Sequence, residues 1–225
     1  MKKYILTVLI IPFFATCNHN PQEIGHYSLS KNELNLIPYS GNDTLIFQDS
    51  LHNKIVFMGS ERITSTNLYR DPPNVEYPKS YYTDEKNLTP FTSNIMCDSV
   101  TYKKPFIITC VNAKVDFKNP NKKSPTEKYI QFSLPDFSHN CSCNTYFHLK
   151  IINEKIFLND SKDKYFEKKI IGGKTFSKVF ELNGSNHDID DLDSNYVYPK
   201  TMCYSQTKGI ISFKMSNGQN FIISN

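Results

Sequence analysis

The chain of 225 residues has no Trp, and it has only two Ala, two Arg and eight Gly. Ala is the strongest helix former, so its near-absence argues against a helical bundle. The shortage of Ala, Gly and Arg accompanies 24 Lys, 23 Asn and 22 Ile, the skew of an A+T-rich coding sequence. That skew describes a genome and not an activity. No apolar run reaches the roughly 20 residues that a membrane-spanning helix needs. A Gly-x-Ser-x-Gly elbow, a Gly-rich phosphate loop, His-Glu-x-x-His and Cys-x-x-Cys are all missing. The six His are scattered, and none can be matched to a nucleophile by spacing. A hydrolase assembled across several strands therefore has no motif behind it, and no cofactor is expected. What remains is an apolar share of 39%, low but sufficient for a folded core.

The amino terminus carries the clearest signal. Met1-Lys2-Lys3 is a short positive region, and residues 4–15 are apolar apart from Thr7. Twelve such residues suit the core of a signal peptide and fall short of a membrane span. Phe14-Ala15-Thr16-Cys17 follows. It resembles the lipobox of bacterial lipoproteins, in which an aliphatic and two small residues precede the Cys that is lipidated. Phe14 and Thr16 depart from the usual Leu and Gly or Ala. The resemblance implies a signal peptide over 1–16 and lipidation at Cys17; the polar, Pro-bearing stretch then reads as a tether over 17–23, and the remaining length as a single β-rich domain over 24–225. The resemblance also implies a place in the bacterial cell envelope, at the outer membrane, with the periplasmic or surface face left open. Cleavage before Cys17 would leave 209 residues carrying 24 basic against 22 acidic side chains. So balanced a chain gives no electrostatic case for nucleic acid.

Beyond the tether, short β-branched and aromatic runs alternate with turn residues. Leu34, Leu36 and Pro38-Tyr39 suggest a short extended piece before Ser40-Gly41-Asn42-Asp43. Residues 44–48 and 55–58 suggest a hairpin, as do 129–134 and 145–152 for two further strands. Phe106-Ile107-Ile108-Thr109-Cys110-Val111 reads as a buried strand. Residues 71–92, with Pro72, Pro73 and clustered Tyr77, Tyr81 and Tyr82, read as a long loop. The Tyr cluster could offer a glycan-stacking platform, although packed Tyr is commoner. Residues 164–182 fit two readings: Gly172-Gly173 suggests a hairpin turn, while Phe176, Val179 and Phe180 also keep helical spacing, and Ile170-Ile171 before the Gly pair favours strands. At the carboxyl end, a three-residue loop of Ser216-Asn217-Gly218 would place Phe213 opposite Phe221 and Ile211 opposite Ile223 on one face. The sum is a mainly β, antiparallel protein, either a sandwich or a curved half-barrel, with at most one short helix.

Cys17, the turn from Gly172 to Phe176 leading to Val179, and the stretch Cys203-Tyr204 through Gly209-Ile210-Ile211-Ser212-Phe213 and Gly218 together resemble the small β-rich lipoproteins of Bacteroidota. That resemblance lends a location and a fold, and brings no activity. Asp43-Thr44-Leu45, Asp49-Ser50-Leu51 and Asp98-Ser99-Val100 also resemble the Asp-Ser/Thr-aliphatic sites of O-glycosylation in that group.

Two clusters could hold a metal. Asp188, Asp190, Asp191 and Asp193 alternate as calcium ligands do, but Leu192 and Ile189 interrupt them and the turn Gly is missing. His139, Cys141 and Cys143 could present soft ligands along a strand, with Met96-Cys97 and Met202-Cys203 adding sulfur. In an oxidising compartment Cys more often pair. With Cys17 lipidated, Cys97, Cys110, Cys141, Cys143 and Cys203 are an odd set. Cys97 with Cys110, and Cys203 with either Cys141 or Cys143, are the expected bridges. The leading expectation is thus a non-catalytic lipoprotein that binds or scaffolds through its sheet, its partner a protein or glycan. Soft-metal handling by His139, Cys141 and Cys143 is the alternative.

Overall fold

The computed structural model describes residues 22–71, 80–97, 100–114, 126–136, 144–185 and 196–224. For 22–25, 67–71, 80–85, 94–97, 100–104, 113–114 and 126 the description is of the backbone alone. The expected signal peptide and Cys17 lie outside these residues. Gln22 and Glu23, expected at the end of the tether, instead open the first strand, β1 (Gln22–Tyr27). A single helical turn, α1 (Lys31–Leu34), follows. Next come β2 (Thr44–Gln48), β3 (Lys54–Gly59), β4 (Ile63–Asp71) and the long β5 (Ser80–Cys97). Then follow β6 (Val100–Lys114), β7 (Thr126–Pro135), β8 (Asn144–Ile152) and β9 (Lys155–Leu158). The last five are β10 (Lys164–Ile171), β11 (Lys174–Asn183), β12 (Pro199–Ser205), β13 (Gly209–Met215) and β14 (Asn220–Ile223).

All fourteen strands among the described residues belong to one sheet, running β10-β11-β12-β13-β14-β2-β3-β5-β6-β7-β8-β9, with β1 and β4 added along β5. Only the β1–β5 contact is parallel among the described pairs. The sheet curls until β8 meets the end of β11. There Tyr146 and Ser185 exchange backbone hydrogen bonds of 3.1 and 2.9 Å. The result is a mainly β, antiparallel protein as expected from sequence, and of the two forms expected it is the curved barrel, nearly closed, and not the sandwich.

Alternation builds the interior. In β8 Thr145, Phe147, Leu149 and Ile151 turn inward while their neighbours stay half exposed, the period of a half-buried strand. Seven buried rings touch in series across the inside, in the order Tyr39, Phe91, Phe106, Phe57, Phe47, Phe213, Phe221. Their centroids lie 5.0–6.0 Å apart. Each buried ring contributes roughly 1.5–3 kcal/mol by leaving water, and well-placed pairs add about 0.5–1.5 kcal/mol.

The segment around α1 plugs one end. Ser30 and Glu33 form a reciprocal capping box, so the Ser-Lys-Asn-Glu spelling that precedes Leu34 encodes a helix start and not the extended piece expected there. The Arg62 guanidinium then donates to the carbonyls of Leu34, Ile37 and Tyr39. The Tyr204 hydroxyl donates to the Leu36 carbonyl at 2.6 Å. Burial alone would raise the Glu33 carboxyl. Its hydrogen bonds from Lys128 and Ser30 outweigh that and hold it below the usual range.

The expected loop over 71–92 is overturned in its second half, because Ser80 to Thr92 belongs to β5. Pro90 is tolerated there for a local reason. Its carbonyl faces the β3–β4 side and accepts from Ser60 N–H, so its missing N–H falls where β5 changes partner between those strands. The closing hairpin matches its expectation at Phe213, which lies opposite Phe221 with the rings stacked. Gly218 closes the three-residue loop with φ +91°. Ile211 differs. A bulge between Cys203 and Tyr204 turns it to the outer face, into a second cluster with Ile171, Val179 and Cys203.

Candidate functional site

The barrel is not zipped along its whole length. Below the Tyr146–Ser185 bridge, β9 and β10 stand side by side as the two ends of the sheet. Among the described residues, neither of their outer edges pairs with another strand. The turn between them is latched at one end, where Asn183 donates its backbone N–H to Asp163 and its amide to the Lys162 carbonyl, each at 2.8 Å. From that latch the gap opens into a groove of about 790 Å³.

Local sequence explains why it stays open. Lys178 holds φ +50°, and pairing of β10 with β11 skips from Phe166–Val179 to Lys168–Ser177 around it. The Gly172-Gly173 turn, with φ +57° and +75°, reverses the chain in two residues as the sequence suggests. Beyond Lys178 the hairpin leans over the outer face of the sheet. Ile171 joins Ile211 and Cys203, and a Cβ on Gly172 would lie 3.1 Å from Ile222. The hairpin thus leaves β9 without a neighbour. Ile156 and Phe180 form the groove floor, both buried, while Phe157 and Tyr165 on its walls are 44% and 45% exposed. Lys155 and Lys178 supply its charge. Sequence reasoning missed these residues. Their one local signal is Ile156-Phe157-Leu158, an apolar run that puts a large side chain on both faces of a very short strand.

A smaller hollow of about 420 Å³ lies under the leaning hairpin, bounded by Lys169, Glu181, Cys203, Ser212 and Lys214. Lys169 pairs with Glu181, sits 4.3 Å above the Phe166 ring and reaches within 3.8 Å of the Cys203 sulfur. Burial pushes the Cys203 thiol up, and the nearby ammonium and Ser212 only partly offset that. A third hollow, of about 440 Å³, lies outside β7 and β8 beside Tyr129 and His148.

The cysteines do not follow the expected bridging. Cys110 and Cys203 are free, buried thiols. Cys110 is paired in register with Asn87, and Cys97 with Val100. Ten residues of extended β5, roughly 33 Å, separate those positions, far beyond disulfide reach. Cys203 lies on the outer face while Cys110 is in the core. Burial pushes the Cys110 thiol up to about 12. Iodoacetamide at neutral pH is therefore expected to label both thiols more than about tenfold more slowly in the folded protein than in urea. Peptide mapping by mass spectrometry reads this, and fast labelling of native Cys110 would contradict it.

His139, Cys141, Cys143, the acidic stretch 188–193 and Tyr77 lie outside the described residues. The side chains of Cys97, Tyr81 and Tyr82 are likewise not described. No group of three or more His, Cys, Asp or Glu able to hold a metal comes together among the described residues. Of the expected glycosylation sites, Ser50 lies exposed on the β2–β3 turn. Its neighbour Asp49 is fully engaged, accepting from Leu51, Asn53 and Gln219. Comparison with protein families, curated proteins and solved structures finds no match to this chain.

Proposed function

We propose that this chain is a lipid-anchored protein of the bacterial cell envelope, held in the outer membrane through Cys17, that acts by binding a partner outside its barrel and not by catalysis. One observation carries the binding half. A barrel that stores a small ligand keeps room within it, whereas this interior is occupied by the series of rings from Tyr39 to Phe221. The hollows under the hairpin and beside β7–β8 lie on the outer face, and the groove at the seam reaches the surface between the two sheet ends at the exposed Lys155, Phe157 and Lys178. The conspicuous carboxylates support the non-catalytic reading, since each is committed to holding structure. Glu33 closes the capping box, Asp49 ties the β2–β3 turn, and Asp136 accepts from Tyr196 at 2.9 Å.

The anchoring half rests on the short apolar run ending in Phe14-Ala15-Thr16-Cys17 and on the resemblance to small lipoproteins of Bacteroidota. A run of that length cannot hold a protein in a bilayer by itself, whereas several acyl chains can. Cys17→Ser is expected to abolish metabolic labelling by palmitate and to move the protein from the membrane to the soluble fraction. Unchanged membrane retention in the variant would reject the anchor.

A further inference from the structure

We infer that the open seam between β9 and β10 accepts an extended, acidic segment of a partner protein, which adds to the sheet as a strand and completes the barrel wall. The inference rests on the reading of the chain as a binding protein and names the site and the chemistry of its partner. Backbone geometry supplies the first argument. Two sheet ends face one gap, and each presents a row of N–H and C=O groups without a strand partner among the described residues. A strand added there would satisfy either row.

The side chains supply the second. Natural sheets blunt exposed edges with charges and keep large apolar groups off them. Here Phe157 and Tyr165 stand on the two edges at 44% and 45% exposure, and Ile170 on β10 at 72%. Beneath them Ile156 and Phe180 offer an apolar floor. A strand laid in the groove would therefore find apolar contacts for every second side chain.

Charge selects the partner. Lys155 and Lys178 line the groove, and Lys164 and Lys168 follow along β10. Three carboxylates nearby keep their charge, against these four lysines, and each is held by neutral donors. Glu167 accepts from the Tyr165 hydroxyl at 2.7 Å, Glu154 from Ser30 and Asn32, and Asp163 from Asn183. A second copy of this chain would bring the same lysines to the gap, so like charge opposes self-pairing through this edge. An acidic strand with apolar residues at alternate positions fits both the charge and the floor.

The test titrates full-length protein into a fluorescent, capped peptide of alternating glutamate and valine and follows anisotropy. The expected result is saturable binding, at least tenfold weaker for a lysine–valine peptide and for a glutamate–valine peptide N-methylated at alternate amides. Lys155→Glu combined with Lys178→Glu, both surface positions, is expected to reverse the charge preference. If that variant fails to melt like the parent, the charge-swapped and N-methylated peptides decide the matter on the parent alone. No binding, equal binding of the N-methylated peptide, or preference for the lysine peptide would each overturn the inference. So would saturation of the groove by phosphatidylglycerol vesicles that excludes the peptide, since it would assign the seam to a lipid surface. Any of these failures would leave the Cys17 fractionation result standing, so loss of this site and loss of the envelope reading are separable.

Discussion

Gly209→Ala is expected to destabilise the plugged end of the barrel by about 2–5 kcal/mol, making it one of the most damaging single-methyl changes in the protein. Two effects combine. Gly209 holds φ +77°, in the left-handed region where a Cβ adds roughly 1–2 kcal/mol of strain. The new methyl would also lie 2.1 Å from the Tyr39 hydroxyl and 2.3 Å from its Cζ. That ring has nowhere to go. Its hydroxyl accepts the Ile210 N–H at 2.6 Å, its face meets Phe91 edge-on, and its own carbonyl is gripped by Arg62. Forced overpacking of this kind adds about 1–3 kcal/mol. Gly218→Ala separates the two contributions, since Gly218 holds φ +91° with nothing within 4 Å of an added Cβ. It should lose only about 1–2 kcal/mol. Urea unfolding of the two variants checks the ranking. Equal losses would mean that the plug yields and that Tyr39 is not fixed.

The same plug shows what a linear reading of this chain could and could not find. The hairpins of residues 44–58 and 209–223 are legible because β-branched and aromatic residues alternate on either side of short turns, whereas 164–182 also fits helical spacing and is marked as a hairpin only by Ile170-Ile171 and Gly172-Gly173. Their register depends on neighbours close in sequence. The strand β5 was not legible, because its described inner face is partly polar. Asn87, Thr89 and Ser93 are buried there beside Phe91, so polarity suggested a loop where tertiary pairing imposed a strand. The α1 turn is spelled out by Ser30 and Glu33, although Pro38 and Tyr39 so soon after it favour an extended chain. Simple alternation puts Ile211 on the face of Phe213, and a bulge shifts it by one residue. No local pattern reports that β9 and β10 end the sheet side by side. Closure is a property of the whole circuit of strands, so the groove between them emerges only once every pairing is known. Lys178 illustrates the point, since an ordinary lysine in sequence occupies the left-handed conformation that interrupts the β10–β11 ladder beside that groove.

Phe47→Ala is expected to cost about 3–5 kcal/mol and to lower the midpoint of thermal unfolding by about 6–20 °C. Phe47 is an inner link of the ring series, edge-on to Phe57 at 6.0 Å and to Phe213 at 5.0 Å, and only 1% exposed. These two neighbours lie on β3 and β13 and are themselves wedged against Phe106 and Phe221. They cannot collapse into the space, so the variant should retain a cavity on the order of a benzene ring. That makes the substitution a test of the binding mode as well as of stability. Because the parent interior is filled, benzene should raise the melting temperature of Phe47→Ala and leave that of the parent unchanged, as mass action requires of a ligand that binds only where a cavity exists. A parent protein stabilised by benzene as strongly as the variant would reveal an interior able to admit ligands. It would then move the search for a partner from the seam to the core.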